Sequence, residues 1–167
     1  MIRGPHTVKV PGPGQESVWD YPRPPAIRPD DRLVTVIFAG HEIACSSSAI
    51  RILETSHPPT FYIPPQDVHT SGLEPSQQTS FCEFKGQAVY FNIRAGDRYS
   101  KNAAWCYPTP SPGYEAITGY YAFYPNQMDE CTVGGQVVEP QPGDFYGGWV
   151  TPDVVGPFKG EPGTMSW

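Results

Sequence analysis

A chain of 167 residues is long enough to bury one hydrophobic core and too short for two, so a single domain with tails is expected. Its 11 Lys+Arg against 17 Asp+Glu leave a formal charge of -6, without the basic stripe that nucleic-acid binding needs. Gly 17 and Pro 21 interrupt the chain too often for long helices, which predicts strands and turns.

Residues 1–29 are rich in Pro and Gly and show no periodicity, so they read as an extended arm, anchored by Val18 and the aromatic pair Trp19 and Tyr21. The opening MIRGPHTVKVPGPG lacks the apolar core of a signal peptide, and no apolar run reaches membrane-spanning length. A soluble, cytoplasmic protein with no membrane partner is expected. Residues 30–138 read as a β domain. Alternating Val34, Val36 and Phe38, a turn at Ala39 to Glu42 and a return at Ile43 to Cys45 predict a first hairpin. Ala49 to Glu54 and Thr60 to Ile63 read as two further strands, separated by the break Ser56-His57-Pro58-Pro59.

Gln66 to Ser80 is polar and reads as turns with one short helical turn near Ser71 or Pro75. Ala88 to Ile93 and Ala103 to Tyr107 read as a hairpin with a wide loop around Ala95-Gly96-Asp97. Pro108 to Tyr114 is irregular. Tyr120 to Tyr124 is an aromatic strand with bulk on both faces, and Cys131 to Val138 is a hairpin turning on Gly134-Gly135. Residues 139–167 return to Pro and Gly, now with Phe145, Tyr146, Trp149, Phe158 and Trp167 between them. Rings on such a segment are worth burying, so it is expected to wrap the body or to reach a second subunit as a homodimer contact.

Thr79 to Tyr107 concentrates the chemistry. Cys82 and Lys85 stand beside Gly86, and Cys82 reads either as a nucleophile tuned by His57 or Lys85 or as a strand cysteine between Phe81 and Phe84. Lys85 reads as an anion-holding ammonium or a solvated turn lysine, and His57 as a proton donor and acceptor or a turn cap. Tyr62, Tyr90, Trp105 and Tyr107 can form an aromatic wall for a ligand or belong to the core. The pairs Asp30-Asp31 and Asp129-Glu130 read as surface charge. Cys45, Cys82, Cys106 and Cys131 form no C-x-x-C pair, which predicts free thiols and no metal site.

The segments SVWDYPRPP (17–25), ETSHPPTFYIPPQDV (54–68), SFCEFKGQAVYF (80–91), AAWCYPTP (103–110) and GYYAFYP (119–125), with the tail FYGGWVTPDVVGPFKGEPGT, resemble domain-of-unknown-function family 427. The resemblance covers nearly the whole chain. It implies a compact, mainly β domain of two antiparallel sheets in the tent-like arrangement of several zinc-containing and ligand-binding domains, with short helical turns only and both arms packed on the body. That architecture often holds a metal through two C-x-x-C knuckles, which this sequence lacks. The family has also carried a nucleotidyltransferase-like label, but no Gly-Ser followed by Asp-x-Asp and no G-x-x-x-x-G-K-[ST] loop is present.

The resulting expectation is a binding or interaction module, without cofactor, whose aromatic pocket takes a small, anionic ligand. Lys85, Trp105, Tyr107, His57, Tyr62 and Tyr90 are its expected ligand residues. The alternative is a thiol- or lysine-dependent enzyme acting on a small molecule through Cys82 with His57 or Lys85.

Overall fold

The fold is described from a computed structural model, over residues 7–143 and 145–167. Residues 1–6 of the expected amino-terminal arm lie outside the described residues. Among the described residues, fifteen strands run in chain order: β1 (Glu16–Ser17), β2 (Ala26–Asp30), β3 (Val34–Phe38), β4 (His41–Ser46), β5 (Ala49–Leu53), β6 (Thr60–Tyr62), β7 (Leu73–Cys82), β8 (Gly86–Ala95), β9 (Arg98–Cys106), β10 (Tyr121–Phe123), β11 (Glu130–Val133), β12 (Gln136–Val137), β13 (Glu139–Pro140), β14 (Trp149–Val150) and β15 (Val154–Val155). Only short 3-10 turns interrupt them. No helix among the described residues is long and apolar enough to cross a membrane.

The chain is mainly β and its two largest sheets are antiparallel, in the orders β10-β9-β8-β7 and β12-β11-β3-β4. A third sheet, β2-β5-β6, meets the first through a backbone bridge between Ile63 and Tyr121, closed by hydrogen bonds of 2.8 and 2.9 Å. Seven strands thereby follow one another around the molecule without closing into a barrel. Strand β3 buries Val34, Val36 and Phe38 as its alternation requires, and these pack with Phe61, Ile93, Phe123 and Trp149 into the larger core. A second, ring-rich core holds Tyr62, Tyr90, Trp105, Tyr107 and Tyr114.

Both arms are built into the body. Ala26–Asp30, at the end of the expected amino-terminal arm, pairs antiparallel with β5. Strand β1 pairs parallel with β15, Trp19 donates its indole N–H to Pro157 at 2.9 Å, and Val18, Tyr21, Leu53 and Val154 form a small core between the arms. Charge pairing secures the junction: Arg51 reaches Glu16 at 2.8 Å and Asp30 at 3.2 Å, while Arg32 reaches Asp30 at 2.7 Å and Asp153 at 3.0 Å. Asp30 is thus not the surface charge that its position beside Asp31 suggested. Its side chain is 7% exposed and two guanidinium groups flank it.

Two segments differ from their sequence reading. Leu73–Cys82, within and beyond the polar stretch read as turns, forms a ten-residue strand. It is an edge strand with no fully buried residue, so the apolar alternation that betrays an inner strand is missing. Its register slips between Pro75 and Thr79, which accommodates the proline. The central hairpin is likewise tight rather than wide-looped. Strands β8 and β9 extend to Ala95 and Arg98, leaving only Gly96-Asp97 between them, because exposed Arg94, Tyr99 and Lys101 continue the ladder on a solvated face while Ser100 lies across from buried Ile93. The Gly134-Gly135 hairpin forms as read, with φ of 57° and 82°.

Trp149 is wholly enclosed, stacks on Phe61 at 5.0 Å and donates its indole N–H to Phe123 at 3.1 Å. Truncating Trp149→Ala is expected to cost about 3–5 kcal/mol in urea unfolding. A loss below about 1 kcal/mol would mean that β14 does not belong to the core.

Candidate functional site

Strand β5 ends at Leu53, and the backbone turns through Glu54 to Pro59, with the His57 N–H donating to the Glu54 carbonyl at 3.0 Å. Prolines 58 and 59 prevent the strand from continuing, so His57 is held in a rigid corner. Facing this corner are Tyr62 of β6, Tyr90 of β8 and Trp105 of β9, with Tyr107 just beyond β9. The Trp105 indole N–H donates to the Tyr62 hydroxyl at 3.3 Å, and the Trp105 ring lies 6.4 Å from Tyr90 and 4.6 Å from Tyr124. Together these rings form the floor of a cavity of about 250 Å³.

The turn between β7 and β8 makes one wall. Gly86 has a φ of +103°, and the Lys85 carbonyl accepts from the Ser111 N–H at 2.9 Å, which pins the turn to the irregular segment after β9. Residues 80–85 all line the cavity, so Cys82 and Lys85 both face it. Lys85 Nζ sits 5.8 Å from the centre of the Tyr107 ring. Phe81 is 77% exposed and Cys82 is half-buried, so this thiol is not enclosed between two buried phenyl rings.

The opposite wall comes from the carboxy-terminal segment, which sequence reasoning did not assign to the site. Gly147 packs flat on the Trp105 indole: a Cβ there would lie 2.3 Å from the ring. Gln141 is 3% exposed, and its carboxamide ties the His57 corner to two points of its own segment. Its oxygen accepts from the Gly148 N–H at 3.0 Å, and its nitrogen donates to the Lys159 carbonyl at 2.8 Å and to His57 Nδ1 at 3.0 Å. Tyr146 meets the His57 ring edge-on at 4.8 Å, and Lys159 Nζ lies 5.6 Å over Tyr146 and 3.3 Å from the Trp167 carbonyl.

His57 therefore has a defined tautomer. The Gly148 N–H can only face the Gln141 oxygen, so the amide nitrogen faces His57 Nδ1, which must accept, and the imidazole carries its proton on Nε2. Nε2 lies 3.6 Å from Glu54, whose carboxylate is paired with Arg23 at 3.3 Å. Burial, reinforced by the charges of Lys159, Arg23 and Lys85 and opposed by Glu54, pushes the His57 pKa down to about 4. Burial also raises Tyr62, Tyr107 and Tyr124 far above the ordinary phenol, so these rings stay neutral. Nδ1 is thus taken by Gln141 while Nε2 carries the proton, and among the described residues no hydrogen bond joins Cys82 to His57 or Lys85. Cys106 and Cys131 are raised to about 11 and about 12 by burial and remain thiols. Among the described residues, no three His, Cys, Asp or Glu side chains converge as a metal site would require.

All seven residues singled out from the sequence, His57, Tyr62, Cys82, Lys85, Tyr90, Trp105 and Tyr107, line this one cavity. A family model for a domain of unknown function (DUF427) matches residues 26–134, well over half of the chain. The chain belongs to the DUF427 family. No curated protein matches it. The DUF427 match runs from β2 to the β11–β12 turn and so supplies the aromatic floor and the Lys85 wall, whereas Gln141, Gly147 and Lys159 lie beyond the matched residues.

A histidine whose folded pKa lies below 6.5 binds its proton more readily when unfolded, so its contribution is complete above pH 6.5 and is lost as pH falls towards 4. Over that window the wild type is expected to lose roughly 3 kcal/mol more unfolding free energy than His57→Gln. Parallel pH profiles for the two proteins would contradict the buried, neutral imidazole.

Proposed function

We propose that this DUF427 protein is a binding module for a small ligand that joins an apolar or aromatic group to an anionic one. The observation that carries this reading is the pairing, in the lining of one cavity of about 250 Å³, of a Tyr and Trp floor with Lys85 and Lys159. The acidic lining does not cancel them: Glu54 is paired with Arg23, and Glu83 stands exposed at the mouth. Inside the cavity the Nε2–H of a neutral His57 adds a donor, and the neutral phenols offer both donors and acceptors. An anion whose body rests on the rings meets donors at one end and apolar surface at the other.

The alternative, a reaction at Cys82 assisted by His57, has less support from the same geometry. A general base for a thiol needs a free imidazole nitrogen within hydrogen-bond reach. Here Nδ1 accepts from Gln141 and Nε2 carries the proton. Binding without turnover uses every group in its observed state.

Thermal shift with benzoate, phenylacetate and 4-hydroxyphenylacetate, set against benzamide and benzyl alcohol, tests the reading. At about ten times its dissociation constant a bound carboxylate adds about 1.4 kcal/mol, a rise of roughly 3–5 °C in a chain of this size. The neutral analogues should fall well short of this, and Lys85→Met should weaken the carboxylates about tenfold. A flat response to every carboxylate, or an unchanged response in Lys85→Met, overturns it.

A further inference from the structure

The cavity meets β7 in an unusual way. Side chains alternate between the two faces of a strand, so a pocket lying on one face touches every second residue. Here Ser80, Phe81 and Cys82 are consecutive and all line the cavity. The cavity therefore reaches β7 at its edge. Strand β7 pairs with β8 alone among the described strands, so alternate N–H and C=O groups along its outer side remain open to a further strand.

We propose that the site receives the carboxy-terminal end of an extended peptide, which adds to the open edge of β7 and sets its terminal carboxylate beside Lys85. This rests on the anion-binding reading above and names the ligand's class. Lys85 follows the last residue of β7 by three positions, so a carboxylate held there belongs to a peptide running parallel to β7. The available ladder is short. Register is regular from Thr79 to Cys82 and slips before it, so the edge accommodates a recognition motif of about four residues.

Two further observations favour a peptide end over a free small molecule. A cavity of about 250 Å³ lies below the usual 300–1,000 Å³ of small-molecule sites, enough for one side chain and a carboxylate but not for a larger body. At its mouth stand two exposed rings, Phe81 at 77% and Phe145 at 68%, which offer apolar contact to residues that precede the terminal one. The terminal side chain enters between Trp105 and Tyr107. Backbone hydrogen bonds along β7 then supply affinity independent of sequence, while the cavity selects the last residue.

The test uses the full chain and a set of fluorescein-labelled hexapeptides of alternating Thr and Val whose last residue is varied through all amino acids. Each is prepared as the free acid and as the carboxy-terminal amide, and the best binder is also prepared N-methylated at single positions. Free acids with apolar or aromatic ends should bind saturably below about 1 mM, their amides about tenfold more weakly. N-methylation at alternate positions should also cost about tenfold, because only every second peptide N–H faces β7. Lys85→Met should abolish the difference between acid and amide, and Lys85→Arg should retain it. Equal binding of acids and amides, indifference to N-methylation at every position, or no binding by any peptide overturns the proposal. If phenylacetate still stabilises the protein in any of those cases, the anion-binding reading stands without the peptide; if it does not, both fall.

Discussion

The Gln141 carboxamide is the joint on which the site depends. It ties the corner after β5, 84 positions away at His57, to two points of its own carboxy-terminal segment, Gly148 and Lys159. Every hydrogen-bonding position on the amide nitrogen is used, and the buried oxygen has its donor. A buried amide left without such partners costs roughly 1–3 kcal/mol per unsatisfied group, so the corner and the carboxy-terminal segment hold each other in place. The same joint selects the His57 tautomer, while burial keeps the ring neutral. It also brings Tyr146 against His57 and Lys159 over Tyr146, which adds a second wall to the aromatic floor.

Much of this architecture is legible in local sequence because local rules govern it. The Val34, Val36, Phe38 alternation, the Gly134-Gly135 turn and the proline corner around His57 each state their conformation within a few residues. The concentration of Cys82, Lys85, Trp105 and Tyr107 near one hairpin likewise survives folding, because β7, β8 and β9 are consecutive neighbours in one sheet. What stayed hidden depends on distant partners. Gln141 looks like any polar residue among prolines until it meets His57, 84 positions away. Asp30 looks solvated until Arg32 and Arg51 close on it. The strand Leu73–Cys82 hides because an edge strand with water on one side needs few apolar residues.

The arms therefore shape the site, the carboxy-terminal one as a wall and the amino-terminal one through its pairing with Glu54. The amino-terminal segment contributes Arg23, which pairs with Glu54 and donates to the Trp167 carbonyl, and so frees the cavity of an uncompensated carboxylate. The carboxy-terminal segment contributes the ceiling, where Gly147 lets the backbone lie against Trp105 at a separation no side chain permits. An acidic chain with a formal charge of -6 thereby places two lysines in the cavity lining, Lys85 beside Tyr107 and Lys159 beside Tyr146. Net charge describes the outer surface and its solubility; the field inside the cavity is set by which charges are paired outside it.

Long-range ¹H–¹⁵N correlation spectra of the imidazole tests the central claim most directly, because they report which His57 nitrogen carries the proton. The account predicts a single neutral form protonated on Nε2 that persists from neutral pH down to about pH 5, well below the ordinary histidine midpoint. A ring protonated on Nδ1, or one that gains its second proton near pH 6.5, would show that Gln141 does not hold it and that the carboxy-terminal wall is not where the fold places it.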